Sequence, residues 1–202
     1  MRNSWMRLGV LACAIGLSGC AALNTVESDV STFATWPAQR KPTTYVFERL
    51  PSQQARAQEQ DQIEAAAKRP IEAAGFREAP APAQADTTIQ VGVRVTRIDQ
   101  RLYDDPFWWR GGLYYSRFNR GPYWNPGMSF QFDTPRYERE VVVLIRDKQT
   151  GQPLYEARAA NDGNSAGTAT LLGAMFEAAM KDFPNAGINP RRVTIQLPPI
   201  GQ

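Results

Sequence analysis

Hydrophobic and polar positions alternate most clearly over residues 86–96. Ile89, Val91, Val93 and Val95 take turns with Gln90, Gly92, Arg94 and Thr96. A period of two turns one face toward a core and the other toward water, so the segment predicts a half-buried strand. Thr43-Thr44-Tyr45-Val46-Phe47 is rich in β-formers and predicts a shorter strand stopped by Pro51. The unbroken apolar run Val141-Val142-Val143-Leu144-Ile145, within 140–146, predicts a buried strand. Asp147-Lys148-Gln149-Thr150-Gly151 reads as a hairpin turn, with a return strand over 153–160. Asn161-Asp162-Gly163-Asn164 reads as a second turn, and Val193, Ile195 and Leu197 mark a last strand over 192–197.

Two stretches carry the helical period instead. Over 53–74, Ile63, Ala67, Ile71 and Ala74 fall on one face at spacings of four and three. Ser52 is the expected N-cap, and Gly75 the expected stop, with Phe76 packing back across it. Pro70 should kink or split this helix, because proline removes a backbone donor and crowds the preceding turn. A second helix is predicted over 165–182, with Leu172, Met175, Phe176, Ala179 and Phe183 on its apolar face and Pro184 at its end. Met175 and Met180 are expected in its core and rim. Residues 21–42 show irregular apolar spacing (Val26, Phe33, Trp36) and predict a tether leading into a first strand. Residues 79–85 alternate Ala and Pro and predict a linker. The expected class is α+β: a mostly antiparallel sheet with two helices packed on one face, in β-β-α-β / β-β-α-β order. The similar order of the halves is compatible with a duplicated unit.

Between the halves lies an insert, 101–137, that keeps neither period. Twelve of the chain's 21 aromatic residues fall in it, interleaved with Gly, Pro and Arg. Exposed aromatic faces suit half-wet contacts with sugars, lipid headgroups or protein. The candidate binding residues are Trp108, Trp109, Arg110, Tyr114, Tyr115, Arg117, Arg120, Tyr123 and Trp124. The arginines suit stacking on the rings, or pairing with phosphate or carboxylate. The same aromatics would equally serve to pack on the domain and close one sheet edge, and both readings stand. Asp104, Asp105 and Asp133 lack the spacing of a calcium loop and read as solvated turn carboxylates. Gly163 to Thr168, before the second helix, resembles an anion-binding turn but lacks a phosphate-loop lysine, which favours simple capping.

The amino-terminal end has a different logic. Arg2 and Arg7 precede an apolar run from Leu8 to Leu17, too short to span a bilayer, and Leu17-Ser18-Gly19-Cys20 closes it. This arrangement resembles the leader and lipobox of bacterial prolipoproteins. The resemblance implies removal of residues 1–19 as a signal peptide and diacylglyceryl transfer to the Cys20 sulfur, followed by acylation of the new amine. An ordinary cleaved signal peptide and an uncleaved anchor are the other readings. The expected organisation is a signal peptide over 1–19, then a lipidated cysteine, tether and first strand over 20–42. A domain over 43–197 and a tail over 198–202 follow. Ala21 follows the cysteine; the absence of Asp there favours the outer membrane, inner leaflet, facing the periplasm.

With Arg2 and Arg7 gone, the mature chain carries 21 basic and 20 acidic residues, a net charge of about +1. Nothing resembles a nucleic-acid footprint. There is no histidine, and the only other cysteine, Cys13, lies in the leader. His-dependent acid–base chemistry, thiol chemistry and zinc sites are thereby excluded, and carboxylate chemistry survives. No cofactor is expected beyond the lipid on Cys20.

The segments Thr44-Tyr45-Val46-Phe47…Leu50-Pro51, Ala74-Gly75-Phe76, the 86–95 strand, the 141–159 hairpin and Lys181-Asp182-Phe183-Pro184 follow one another in order. This succession resembles the bacterial lipoproteins grouped as domain of unknown function 4136, over most of residues 25–184. A Gly- and aromatic-rich insert before the hairpin is usual in that family. Tyr155 stands where it often has Trp. The resemblance brings no catalytic residues. The expected function is a lipid-anchored, non-enzymatic binding or structural module whose insert contacts an envelope protein or glycan. The alternatives are a carboxylate-dependent glycan-active enzyme and a purely structural lipoprotein.

Overall fold

The computed structural model describes residues 24–98, 112–116, 121–125 and 136–198. The chain opens with strand β1 (Thr25–Ala34) and strand β2 (Thr44–Phe47), then a single helical turn, α1 (Pro51–Gln54), and helix α2 (Ala57–Ala73). Strands β3 (Arg77–Glu78) and β4 (Thr87–Ile98) follow, and then a hairpin of β5 (Gly112–Ser116) and β6 (Gly121–Asn125). Strands β7 (Arg136–Asp147) and β8 (Pro153–Gly163), helix α3 (Ala169–Met180) and strand β9 (Arg191–Gln196) complete the domain.

Seven strands form one sheet in the order β3-β2-β4-β7-β8-β1-β9, and β5 pairs with β6 apart from it. The α+β class is as the sequence predicts, but the sheet is mixed. β2 runs parallel to both β3 and β4, because the chain leaves β2, crosses the sheet through α1 and α2, and re-enters in the same direction. The other pairings are antiparallel. A duplication would set β7 between β2 and β4, as β1 sits between β8 and β9. It lies instead between β4 and β8, so the sheet order does not repeat.

Both longer helices lie on one face. From α2, Ile63, Ala67 and Ile71 are buried, and from α3, Met175, Phe176, Ala178 and Ala179. They meet Ile89, Val91, Val141, Val143, Ile145, Ala157 and Ala159 of the sheet. The run Val141 to Ile145 is not buried throughout: Val142 and Leu144 point to the other face and are half-buried. That face carries ion pairs such as Arg146–Glu48 and Arg158–Glu156 in place of helices.

Several boundaries differ from expectation for local reasons. Ser52 lies inside α1, whose first residue is Pro51, and the N-cap of α2 is Arg56. Pro70 does not split α2, which runs on to Ala73 with Pro70 buried. Gly75 ends it with φ of 100°; its N–H donates to Glu72 O (2.9 Å) and that of Phe76 to Ile71 O (3.4 Å), a Schellman closure. Asn161, Asp162 and Gly163 extend β8 instead of turning, because they pair with Arg139, Glu138 and Tyr137. The helix then begins later, at Ala169, with Thr168 Oγ1 accepting from the Leu171 N–H at 3.2 Å. The first strand expected within 20–42 is Thr25–Ala34, an inner strand with Val26, Ser28, Val30 and Thr32 buried.

The two ends of the sheet differ. At one, the β7–β8 turn is held by Asp147, whose carboxylate accepts from the Gln149 and Thr150 amides (3.1 and 2.8 Å) and the Thr150 hydroxyl (2.8 Å). Gly151 has φ of 71°. Beside this turn, Trp36, Tyr45, Phe76, Tyr155 and Phe183 interlock, with ring centroids 4.8 Å apart for Trp36–Phe183 and 5.2 Å for Tyr155–Phe183. At the other end, β4 and β7 outrun the core: Val95 and Ile98 are 42% and 39% exposed.

Candidate functional site

Cys20, Trp108, Trp109, Arg110, Arg117 and Arg120 lie outside the described residues, as do Asp104, Asp105 and Asp133. Tyr114 and Tyr115 are on β5 and Tyr123 and Trp124 on β6. The hairpin register sets Tyr114 opposite Tyr123 and Trp124 opposite Leu113. The insert leaves the sheet after Ile98 and returns at Arg136, and these two residues pair. The stems are therefore fixed on inner strands of the sheet, adjacent to one another.

The register also locates the start of β1. Tyr137 pairs with Gly163, and Asp29 with Ala160, so Val26 stands level with Gly163 and Thr25 level with Arg136. β1 thus begins at the sheet end from which the insert springs. Only β8 separates β7 from β1, so the two points are about 10 Å apart at ordinary strand spacing. Asn24 is tied down there: its side-chain amide donates to Leu197 O (3.2 Å) and Pro198 O (2.6 Å).

At the same end lies a polar row that the sequence reading missed. Arg139 faces inward on β7 and pairs with Val95 of β4 and Asn161 of β8. Ser28 of β1 stands next to Asn161, one step beyond the Asp29–Ala160 pair. Arg139 and Ser28 are each 2% exposed. Arg139 Nε, Asn161 Oδ1 and Ser28 Oγ are buried without a hydrogen-bond partner among the described residues. Arg139 Nη1 donates to Ser165 O (3.1 Å) and Ser165 Oγ (3.4 Å), in the loop before α3. Burial lowers the pKa of the guanidinium, and Asp162 opposes that shift. A signal was present: Arg139 has the same parity as Val141, Val143 and Ile145, so a strict period of two points it inward.

The other buried charge among the described residues is handled differently. Glu64, 8% exposed, is gripped by Arg49 through two bonds, Nε to Oε1 at 2.7 Å and Nη2 to Oε2 at 2.6 Å. Gln60 donates to it as well, at 3.1 Å. Gln60 and Gln53 also donate to Val91 O (3.2 and 2.8 Å), satisfying β4 where β2 has ended. Near the N-terminus of α3, a groove of about 530 Å³ opens between α2 and the outrunning part of β4. Ile63, Val93, Val95 and Leu172 give it an apolar floor, and Arg94, Arg56 and Glu59 line it, the last two paired at 3.3 Å. Among the described residues, no three acidic side chains cluster closely enough to hold a metal ion. No described helix is long and apolar enough to cross a membrane.

No curated protein matches the chain. Solved structures resemble it in fold. A PDZ domain protein from Parabacteroides distasonis ATCC 8503 superposes with a TM-score of 0.50 at 13% identity, over 91% of this chain and 42% of that one. The chain thus spans less than half the length of that relative. The PelC dodecamer from Paraburkholderia phytofirmans gives a TM-score of 0.39 at 13% identity, over 76% of this chain and 94% of that chain. A DUF4136 family protein from Bacteroides thetaiotaomicron VPI-5482 gives 0.37 at 16% identity, over 77% and 96%. At these identities the likeness is one of fold alone. The family described as "Domain of unknown function (DUF4136)" matches residues 29–185, more than half of the sequence, and the chain belongs to it.

Proposed function

We propose that this protein is a lipid-anchored, periplasm-facing envelope module without catalytic activity, in which the aromatic and arginine-rich insert contacts another envelope component. One observation carries the reading: the stems of the insert at Ile98 and Arg136 leave the same end of the sheet at which β1 begins. Cys20 lies five residues before Thr25, a reach of at most about 18 Å even when fully extended. A lipid on its sulfur would hold that end at the bilayer, in the inner leaflet of the outer membrane. Two or three acyl chains make such anchoring stable, at roughly 0.8 kcal/mol per buried methylene. The insert then meets whatever borders the membrane surface. Trp and Tyr suit that boundary because each has an apolar body and a polar tip.

The test has two arms. Cys20→Ser should abolish lipidation and release the protein from membranes in fractionation; continued processing and membrane retention would refute the anchor. Deleting residues 103–135 should leave a folded, anchored protein that loses its in-cell crosslinks. Unchanged crosslinks would count against a role for the insert.

A further inference from the structure

We propose that the open edge of β4 over residues 93–98 is a docking site for an extended segment of a partner protein, one that alternates apolar and acidic side chains. β4 has a strand on both sides only as far as Ile89, where its pairing with β2 ends. Its pairing with β7 runs unbroken from Thr87 to Ile98. The stretch 93–98, about 20 Å long, is therefore flanked on one side alone among the described residues.

The direction of its backbone groups follows from what is bonded just before it. Ile89 O accepts from the Glu48 N–H at 3.0 Å. Val91 O accepts from the side-chain amides of Gln53 and Gln60, at 2.8 and 3.2 Å. Alternate residues of a strand point their N–H and C=O to the same side, so Val93 and Val95 present theirs on the β2 side too. They do so past the point where α1 and α2 supply the last donors. Unpaired backbone groups in a row are a template for another strand, and an extended peptide bonds them at their own spacing.

The side chains select the occupant. Val93 and Val95 share the parity of buried Val91, and with Ile63 and Leu172 they floor the groove of about 530 Å³. A strand laid along the edge would send every second side chain into that groove and the rest onto the open face beside Arg94. Arg56 and Glu59 face each other at the groove rim at 3.3 Å, which leaves Arg94 to set the sign. The Arg94 side chain is 75% exposed and meets Glu140, on the β7 side, at 3.6 Å. A carboxylate on the added strand would meet it from the other side. A second copy of this chain is a poor occupant. Antiparallel pairing centred on Arg94 sets that residue against its own image, and centring on Val95 lays the copy's Arg97 over the apolar floor at Val93. The site belongs to β4 itself, so it requires neither the lipid nor a contact made by the insert.

The experiment uses the full chain in detergent and two synthetic peptides, Asp-Val-Glu-Val-Asp-Val-Glu with blocked ends and the same peptide with Lys at every acidic position. Hydrogen exchange and chemical shifts of the Val93 and Val95 amides are followed. In the free chain both amides should exchange rapidly. The acidic peptide should shift both saturably and slow their exchange, and the basic peptide should bind about tenfold more weakly or less at low salt. Val95→Pro removes a donor that points away from β7, a position where strands tolerate proline. It should keep the fold and weaken binding about tenfold or more. Arg94→Gln should erase the preference for the acidic peptide. Amides already protected in the free chain would mean that the chain covers this edge itself, and would overturn the proposal. Absence of saturable shifts with the acidic peptide, or equal binding by a folded Val95→Pro protein, overturns it as well. Should Val95→Pro not fold, Arg94→Gln decides: an undiminished preference for the acidic peptide refutes the site.

Discussion

At the turn end of the sheet five aromatic side chains interlock, and at the opposite end three polar atoms of one cross-strand row stand buried without partners. The first group fills space and satisfies itself: Tyr155 Oη donates to Ala179 O at 2.9 Å while its ring meets Phe183 edge-on. Among the described residues, only Tyr45 Oη is buried without a partner there. The second group, Ser28, Asn161 and Arg139, forgoes hydrogen bonds worth roughly 1–3 kcal/mol each when a buried group is left unmade. Stability is thus concentrated away from the stems of the insert and the start of β1, and the end that holds both is left polar and poorly satisfied.

Substitutions at the two ends sharpen or break this contrast. The largest effect is expected for Phe76→Ala, which removes a ring 1% exposed from the centre of the aromatic cluster. It should cost about 3–5 kcal/mol in urea unfolding; a loss under about 1 kcal/mol would remove the claim that this end carries the fold. Next comes Gly163→Ala, whose new methyl meets the Arg139 guanidinium. A penalty of about 1–3 kcal/mol is expected, shrinking when Arg139→Met is added. Strict additivity of the two changes would mean that the guanidinium is not held under the loop.

A smaller effect is gated by acid. Asp147, hydrogen-bonded by Arg40 and by the Thr150 amide and hydroxyl, has its pKa lowered to about 2. A depressed carboxylate stabilises the folded state above its unfolded value of about 3.9, and that contribution disappears as pH falls toward 2. Asp147→Asn should flatten the decline of melting temperature between about pH 4 and pH 2. An unchanged slope would show that the turn is indifferent to this charge. Least of all, Ser28→Ala should leave stability unchanged or raise it by about 1 kcal/mol, because it deletes a buried hydroxyl whose hydrogen bond is unmade. A large destabilisation would place Ser28 in a bonded network and undo the contrast at its polar end.

Features set by neighbouring residues were legible. The β4 alternation at Ile89 and Val91, the α2 face, the Gly75 closure and the Asp147–Gly151 turn each follow from a period or a left-handed glycine, and the structure has them, whereas Val95 of the same predicted face is 42% exposed. The family and the α+β class followed from their order. Features set across the sheet were not legible. The bounds of β1 within 20–42 were not legible because two of its four buried positions, Ser28 and Thr32, are polar, so its alternation has little hydrophobic contrast. Asn161-Asp162-Gly163 has turn chemistry, yet pairing with β7 overrides it. The parallel entry of β4 depends on how the helices cross, which no local pattern encodes. For the site, the insert stood out by composition, whereas Arg139 looked like one more exposed strand arginine until its parity was followed inward.

The place of β1 has a consequence for how the molecule comes into being. It is flanked by β8 on one side and β9 on the other, the last two strands to be synthesised. A chain made N-terminus first must carry this strand with both edges open until β8 has appeared, and with one edge open until residue 196 has. The sheet cannot be assembled in the order in which it is translated, and its final seam joins the beginning of the domain to its end. Such long-range closure slows folding and prolongs the exposure of a pairing-competent edge. A chain cut short before β9 would therefore keep an open template strand, which gives quality-control proteases a direct mark of incompleteness.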